Sequence, residues 1–102
     1  MTQVVSYKQA LAILLTDPRK TQIVHLLEKG EHPFRAIKDF CEYDHNQSLS
    51  RSLHKLEDAG LVDHSFRHGS TEVYSFYALT PAGREIAQML HLLEAAGRKG
   101  RG

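Results

Sequence analysis

Residues 46–56, NQSLSRSLHKL, carry hydrogen-bonding side chains at close spacing and no carboxylate. Leucines 49, 53 and 56 recur at steps of four and three, which predicts an α-helix with one apolar face. The opposite face carries the polar side chains, which are Gln47, Arg51, His54 and Lys55, flanked by Ser48 and Ser50. Arginine can bind guanine and glutamine can bind adenine through paired hydrogen bonds, while serine adapts to several acceptors. This pattern favours hydrogen bonding to base edges in the major groove of DNA.

Two helices are predicted in the first thirty residues. Apolar residues at helical spacing predict the first over residues 3–15. A second begins at Asp17, the expected N-cap, with Pro18 at the first helical position, and stops near Gly30.

A third helix leads into the polar helix through a short turn. It is expected over residues 33–43, and its apolar side carries Phe34, Ile37, Phe40 and Cys41. Residues 44–46 form a polar break, and Gly60 is expected to end the polar helix as a left-handed C-cap. Two helices joined by a short polar connection are typical of a helix-turn-helix.

After Gly60 the hydrophobic period changes from that of a helix to that of strands. Residues 61–67 and 72–79 are rich in Val, Phe and Tyr and are separated by HGST, which predicts a β-hairpin. A last helix is expected over residues 81–96. The order helix-helix-helix-helix-hairpin-helix predicts a mainly α winged helix-turn-helix with a small β-hairpin. We expect one domain over residues 1–97 and a basic, flexible tail over 98–102.

Composition excludes several classes of protein. The chain has 102 residues, a net charge of +1 and one cysteine. It contains no apolar run long enough for a membrane span and no signal peptide, so we expect a cytoplasmic protein. A phosphate-binding glycine loop, a nucleophile elbow and a paired acidic motif are all missing from the sequence, which argues against an enzyme. Because the net charge is small, an expectation of DNA binding depends on where the charges lie.

Three segments resemble winged-helix transcriptional regulators of the ArsR, HxlR and MarR types. They are DPRKTQIVHLLEKG, SLSRSLHKLEDAGLV and YALTPAGRE, and the resemblance covers about residues 15–90. The Asp-Pro helix start is most similar to ArsR proteins, whereas the Phe-led third helix and the LTPAGRE ending are more similar to HxlR proteins. The resemblance implies a homodimer, most often a repressor, that reads two half-sites in double-stranded DNA.

The resemblance also implies a wing that touches the DNA backbone or minor groove. By position, the wing residues are Arg67, His68 and Ser70, and the recognition residues are those of the polar helix. Arg35 and Lys20 are further candidates for phosphate contacts, with a solvated surface charge as the alternative for each. The wing has few basic residues, which leaves a rival interpretation open. In this interpretation the winged helix binds another protein and does not bind DNA sequence-specifically.

The first and last helices are more apolar than a lone domain of this size needs. We expect them to form the homodimer interface through Tyr7, Leu11, Leu14, Leu15, Met89, Leu90, Leu92 and Leu93. The alternative is that they complete the core of the monomer. A two-fold dimer would place its half-sites roughly 34 Å apart, one turn of DNA.

Sensing of a signal is not indicated by the sequence. Cys41 is expected to be a buried, small apolar residue. The seven histidines are scattered, and although His91 and Glu94 lie three apart on the last helix, the other ligands of a metal site are missing from the pattern. We therefore expect no metal and no cofactor, and the sequence identifies no small-molecule effector.

Overall fold

The computed structural model describes residues 5–100, with side chains described as far as Gly97. Within that range five helices and three strands follow one another as α1 (Tyr7–Leu15), α2 (Pro18–Leu27), β1 (His32–Pro33), α3 (Phe34–Phe40), α4 (Asn46–Asp58), β2 (Val62–His68), β3 (Val73–Leu79) and α5 (Pro81–Gly100). This order confirms the predicted winged helix-turn-helix. None of these helices is long and apolar enough to cross a membrane.

The predicted helix caps lie where the local sequence places them. The Asp17 carboxylate accepts hydrogen bonds from the backbone N–H groups of Arg19 and Lys20, and Pro18 occupies the first turn of α2. Gly60 has a φ of 79°, and the backbone N–H next to it, of Leu61, donates to the carbonyl of Leu56. A left-handed residue therefore ends α4, as the sequence predicts.

Three element ends differ from the sequence prediction. α1 begins at Tyr7 rather than at residue 3, and residues 3 and 4 lie outside the described range. α3 ends at Phe40 because the chain turns at Glu42, whose φ is 56°. α5 continues to Gly100, so residues 98–100 are helical rather than part of a flexible tail, and residues 101–102 lie outside the described range.

The hairpin forms a three-stranded antiparallel sheet with a strand that the sequence did not predict. β2 pairs with β3 from Val62 opposite Leu79 to His68 opposite Val73. β1 adds to the other edge of β3, with His32 opposite Tyr77. A strand of two residues is too short to show the alternating pattern by which strands are predicted, and the sheet ties α3 to the wing.

A close contact joins α5 to the junction between α4 and the wing. The Thr80 hydroxyl donates to the carbonyl of Gly60 at 2.6 Å and accepts from the backbone N–H of Gly83 at 2.9 Å. A Cβ atom on Gly83 would lie 2.1 Å from the carbonyl oxygen of Leu61. Only glycine fits this approach, which explains the glycine in the segment LTPAG.

One apolar core receives side chains from every helix and from the sheet. Its largest fully buried members include Leu14, Ile23, Leu27, Ile37, Leu49, Leu53, Leu56, Leu61, Ile86 and Leu90. The inward direction of the three α4 leucines and the burial of Cys41 are as predicted. The prediction for Phe40 was wrong: its side chain is 52% exposed because α3 ends there, and the Lys29 ammonium lies 5.9 Å from its ring centroid.

Candidate nucleic-acid interface

The outer face of α4 presents the polar side chains that the sequence singled out. Gln47, Ser48, Arg51, His54 and Lys55 are exposed, and Ser50 is half-buried. The first turn of the helix contains no acidic residue, and no side chain caps its N-terminus. Although Asp44 precedes the N-cap, no carboxylate lies within the first turn at the positive end of the helix dipole, which favours the approach of an anion.

A buried polar contact fixes the turn before α4. The Tyr43 hydroxyl donates to the Ser52 hydroxyl at 2.9 Å, and Ser52 is 8% exposed. The Arg19 guanidinium of α2 lies 4.9 Å from the centroid of the Tyr43 ring. Burial raises the pKa of the Tyr43 phenol, which keeps it a neutral donor. Ser52 was not among the residues predicted from the sequence, although its place between Leu49 and Leu53 on the helix could have indicated an inward direction.

The acidic end of α4 is turned toward the wing. The Glu57 carboxylate lies 3.6 Å from His64 Nδ1 on β2, and the His64 ring stacks on Tyr77 with 4.4 Å between the centroids. Both side chains of the Glu57–His64 pair are less than a quarter exposed. This contact keeps one of the two acids of α4 away from its outer face.

The surface of the wing is largely apolar, and its arginine already has partners within the protein. The Arg67 guanidinium forms an ion pair with Glu31 and lies 4.3 Å from the centroid of the Phe76 ring. His68 and Ser70 are exposed at the hairpin end. Large exposed apolar side chains surround them, namely Phe66, Val73 and Tyr74. The Arg67 side chain is still 55% exposed in this pair, and its contact with DNA stays a prediction.

The two candidate phosphate contacts outside the motif differ in availability. The Lys20 ammonium lies 2.5 Å from the Asp17 carboxylate, and its side chain is 14% exposed. Lys20 therefore has an acidic partner at the start of α2, and its contact with phosphate stays a prediction. Arg35 is exposed and lines a surface cleft beside the start of α4, together with Lys38 and Asn46. Lys38 was not among the residues predicted from the sequence, although its spacing of three from Arg35 puts both on one face of α3.

The predicted dimer residues divide into three groups. Leu14 and Leu90 are each 1% exposed and belong to the monomer core, so their assignment to an interface was wrong. Leu15, Leu92 and Leu93 are 60%, 71% and 47% exposed. The remaining three, Tyr7, Leu11 and Met89, are partly buried against the core. Since Met89, Leu92 and Leu93 are spaced by three and four residues, they share one face of α5.

Comparisons with known proteins agree with this architecture. A sequence model of the HxlR-like helix-turn-helix family matches residues 14–100. The reduced form of the transcriptional regulator YodB from B. subtilis has a TM-score of 0.74 and 20% identity, covering 91% of this chain and 90% of that chain. A transcriptional regulator of the MarR family from Enterococcus faecalis V583 has a TM-score of 0.78 and 17% identity, covering 98% and 93%. A search of curated protein sequences found no match.

A further similar structure contains nucleic acid. Bacillus subtilis PadR in complex with operator DNA has a TM-score of 0.65 and 22% identity, covering 72% of this chain and 46% of that chain. These structural likenesses support the fold, whereas the sequence match selects one of the three families that the sequence resembles. With 87 of its 102 residues inside the family match, this chain belongs to the HxlR-like helix-turn-helix family and has the winged-helix DNA-binding fold of transcriptional regulators.

Proposed function

We propose that this protein binds double-stranded DNA sequence-specifically as a homodimeric repressor, with α4 lying in the major groove. The observation that carries this proposal is the outer face of α4, where exposed Gln47, Arg51 and Lys55 lie opposite a fully buried leucine face. Helices of this kind contact base edges through the residues near their N-terminus. Gln47 and Arg51 occupy that half of α4 and have the side chains that can pair with adenine and guanine.

The distribution of charge supports the same orientation. The net charge of the chain is only +1, so non-specific attraction to phosphate is weak. Binding to DNA therefore depends on where the individual basic side chains lie. Arg35 and Lys38 outnumber the single acid, Asp39, in the cleft at the N-terminal end of α4, where phosphates would pass beside an inserted helix. Glu57 lies against His64 at the opposite end. The solved PadR complex with operator DNA is a precedent for this fold on DNA.

The exposed apolar face of α5 supports the homodimer. Leu92 and Leu93 lie side by side in sequence and are largely exposed, and Met89 extends their face toward the core. Burying such a face between two copies removes apolar area from water, at about 25 cal/mol per Å². Two copies would then present two α4 helices to half-sites about one DNA turn apart.

The experiment that tests specificity is repeated enrichment of bound fragments from a random DNA pool, followed by a salt titration of the selected site. We expect a palindromic site and a steep fall of log affinity with log salt, about 0.9 per phosphate neutralised. Arg84→Ala, which removes an exposed arginine from α5, should retain the selected sequence. Failure to enrich any sequence would reject the proposal.

The homodimer and the repressor activity have separate tests. Sedimentation should give a dimer for the wild type and a monomer for Leu92→Glu, while Gln88→Glu on the same helix, also exposed, remains a dimer. A reporter placed behind the selected site should be transcribed less when the protein is present. A rise in transcription would instead identify an activator.

A protein-binding module is the second candidate, and the wing supplies the observation that favours it. Phe66, Val73 and Tyr74 expose large apolar surfaces on the hairpin, and Arg67 is held by Glu31. Apolar patches of this kind are typical of protein interfaces. Absence of sequence enrichment, together with weak and sequence-independent DNA binding, would favour this candidate.

A further inference from the structure

Four side chains from α2 and α5 meet in a polar cluster outside the proposed DNA-binding face. His25 Nδ1 lies 2.7 Å from Glu28 Oε1, and His25 Nε2 lies 2.9 Å from Glu94 Oε1. His91 Nε2 lies 2.9 Å and 3.1 Å from the two carboxylate oxygens of Glu28. The two imidazole rings stack with 4.5 Å between their centroids. We refer to these four residues as the α2–α5 cluster.

We propose that the α2–α5 cluster binds a divalent zinc ion through His25, His91 and Glu94. One ligand atom from each of these three residues lies within 4.8 Å of the others. Two imidazoles and one carboxylate form a ligand set that zinc uses in proteins, with a fourth position left for water. Zinc–nitrogen bonds of about 2.0–2.1 Å place neighbouring ligand atoms about 3.4 Å apart in a tetrahedron. Closing the present separations requires His91 to exchange its contact with Glu28 for the ion.

Glu28 has a different role, that of a positioning residue. Its carboxylate faces His25 Nδ1, while His25 Nε2 points to Glu94. Histidine ligands of zinc usually donate their second N–H to a carboxylate, which fixes the ring and makes the other nitrogen a better ligand. When zinc is bound, Glu28 accepts from His25 Nδ1, and His91 Nε2 turns from Glu28 to the ion.

The local electrostatics favour a cation. Two carboxylates face the two ring nitrogens of His25, with Glu28 Oε1 2.7 Å from Nδ1 and Glu94 Oε1 2.9 Å from Nε2, so negative charge surrounds the site. A metal ion can reach the two histidines from solvent, since the side chains of His25 and His91 are 27% and 54% exposed. Without zinc, the same residues form a histidine–carboxylate network between the helices, and a proton competes with the ion.

Bound zinc would link two parts of the molecule with different roles. His25 and Glu28 lie on α2, which packs against α4, whereas His91 and Glu94 lie on α5 beside Leu92 and Leu93. An ion between them would fix the exposed apolar face of α5 relative to the helix-turn-helix. This consequence rests on the proposed function, whereas the zinc site does not.

The test is a calorimetric titration of chelator-treated full-length protein with Zn²⁺, in the absence of DNA. We expect one ion per chain, and we expect His91→Gln and Glu94→Gln to weaken binding by more than about 100-fold. Glu28→Gln should weaken it by about 10- to 100-fold, as expected for a residue that orients a ligand. His45→Gln and His68→Gln remove exposed histidines elsewhere and should leave the affinity within about twofold.

A second readout separates the site from general histidine binding. Zinc should raise the Tm of the wild type and of the two control variants, because a ligand bound only by the folded state stabilises it. The Tm of folded His91→Gln and Glu94→Gln protein, verified by circular dichroism, should not respond. The proposal is overturned if the wild type binds no stoichiometric zinc, or if the control variants lose as much affinity as the cluster variants. Because no DNA is present, failure of the zinc site is distinguishable from failure of the proposed function.

Discussion

The outer face of α4 and the wing carry similar residues, but the structure leaves them in different states. The side chain of Arg51 on α4 is exposed and forms none of the side-chain hydrogen bonds or ion pairs found within the described part of the chain. Arg67 of the wing has Glu31 as an ion partner and Phe76 beneath its guanidinium. Helical periodicity decides which way a side chain points, whereas contacts between distant segments decide whether it is available to a ligand.

The largest expected effect separates these two arginines on a selected DNA site. Arg51→Ala should lose about 1–3 kcal/mol of binding free energy and relax specificity at one base position. Arg67→Ala should change binding by no more than about 0.5 kcal/mol, since its side chain already has partners on the protein surface. If a binding titration gave equal losses of binding free energy for the two variants, Arg67 would have to leave Glu31 to contact DNA. The contrast between α4 and the wing would then be wrong.

The positioning of α4 can be weakened without touching its outer face. Tyr43→Phe removes the buried hydrogen bond to Ser52 and should lower the free energy of unfolding by about 1 kcal/mol. DNA affinity should fall as well, because the turn before α4 is less fixed. Tyr74→Phe is a matched change at a wing tyrosine that is 47% exposed. It should leave the free energy of unfolding, measured with urea, and the DNA affinity, measured by titration, unchanged.

Helix α2 supports α4, and its N-cap gives a pH-dependent prediction. Burial on its own would raise the pKa of Asp17, but hydrogen bonds from the side chain and backbone of Lys20 outweigh it and hold the pKa below its usual value. Asp17→Ala should therefore cost about 1 kcal/mol of unfolding free energy at neutral pH.

The sign of the pH dependence follows from the lowered pKa of Asp17. Charged Asp17 contributes its full stabilisation at pH values above the ordinary aspartate pKa of about 3.9. This stabilisation is lost as the pH falls through the lower pKa that Asp17 has in the folded protein. The free energies of unfolding of the wild type and Asp17→Ala, measured with urea, should thus differ less at strongly acidic pH than at neutral pH. Asp17→Asn, which preserves a capping oxygen, should retain most of the neutral-pH stability, and an equal loss in both variants would contradict the capping role.

The smallest effect is expected from releasing the wing arginine. Glu31→Gln removes the ion partner of Arg67, so the arginine can neutralise one phosphate and steepen the salt dependence by up to about 0.9. Glu72→Gln removes an equal charge from the exposed hairpin end without releasing Arg67. If both variants steepen the slope alike, the gain reflects net charge alone and not the freed guanidinium.

Local patterns were sufficient for most of the fold. The Asp17–Pro18 start, the left-handed Gly60 and the inward leucines of α4 depend on residues a few positions apart, and their physical causes act within one turn of helix. The short strand β1 was not predictable in this way. It exists because His32 and Pro33 meet β3 across 43 to 45 residues of chain, and two residues carry no periodic signal.

The sequence by itself determined the order of elements, the outward direction of the α4 polar residues and the resemblance to winged-helix regulators. These follow from spacing along the chain and from capping chemistry, which are local. Only the tertiary structure decided that Leu14 and Leu90 belong to the core while Leu92 is exposed, and that Arg67 has Glu31 as its acidic partner. It also brought His25 within reach of Glu94, 69 residues away. Availability of a side chain depends on what packs against it from elsewhere in the chain, and spacing carries no record of that.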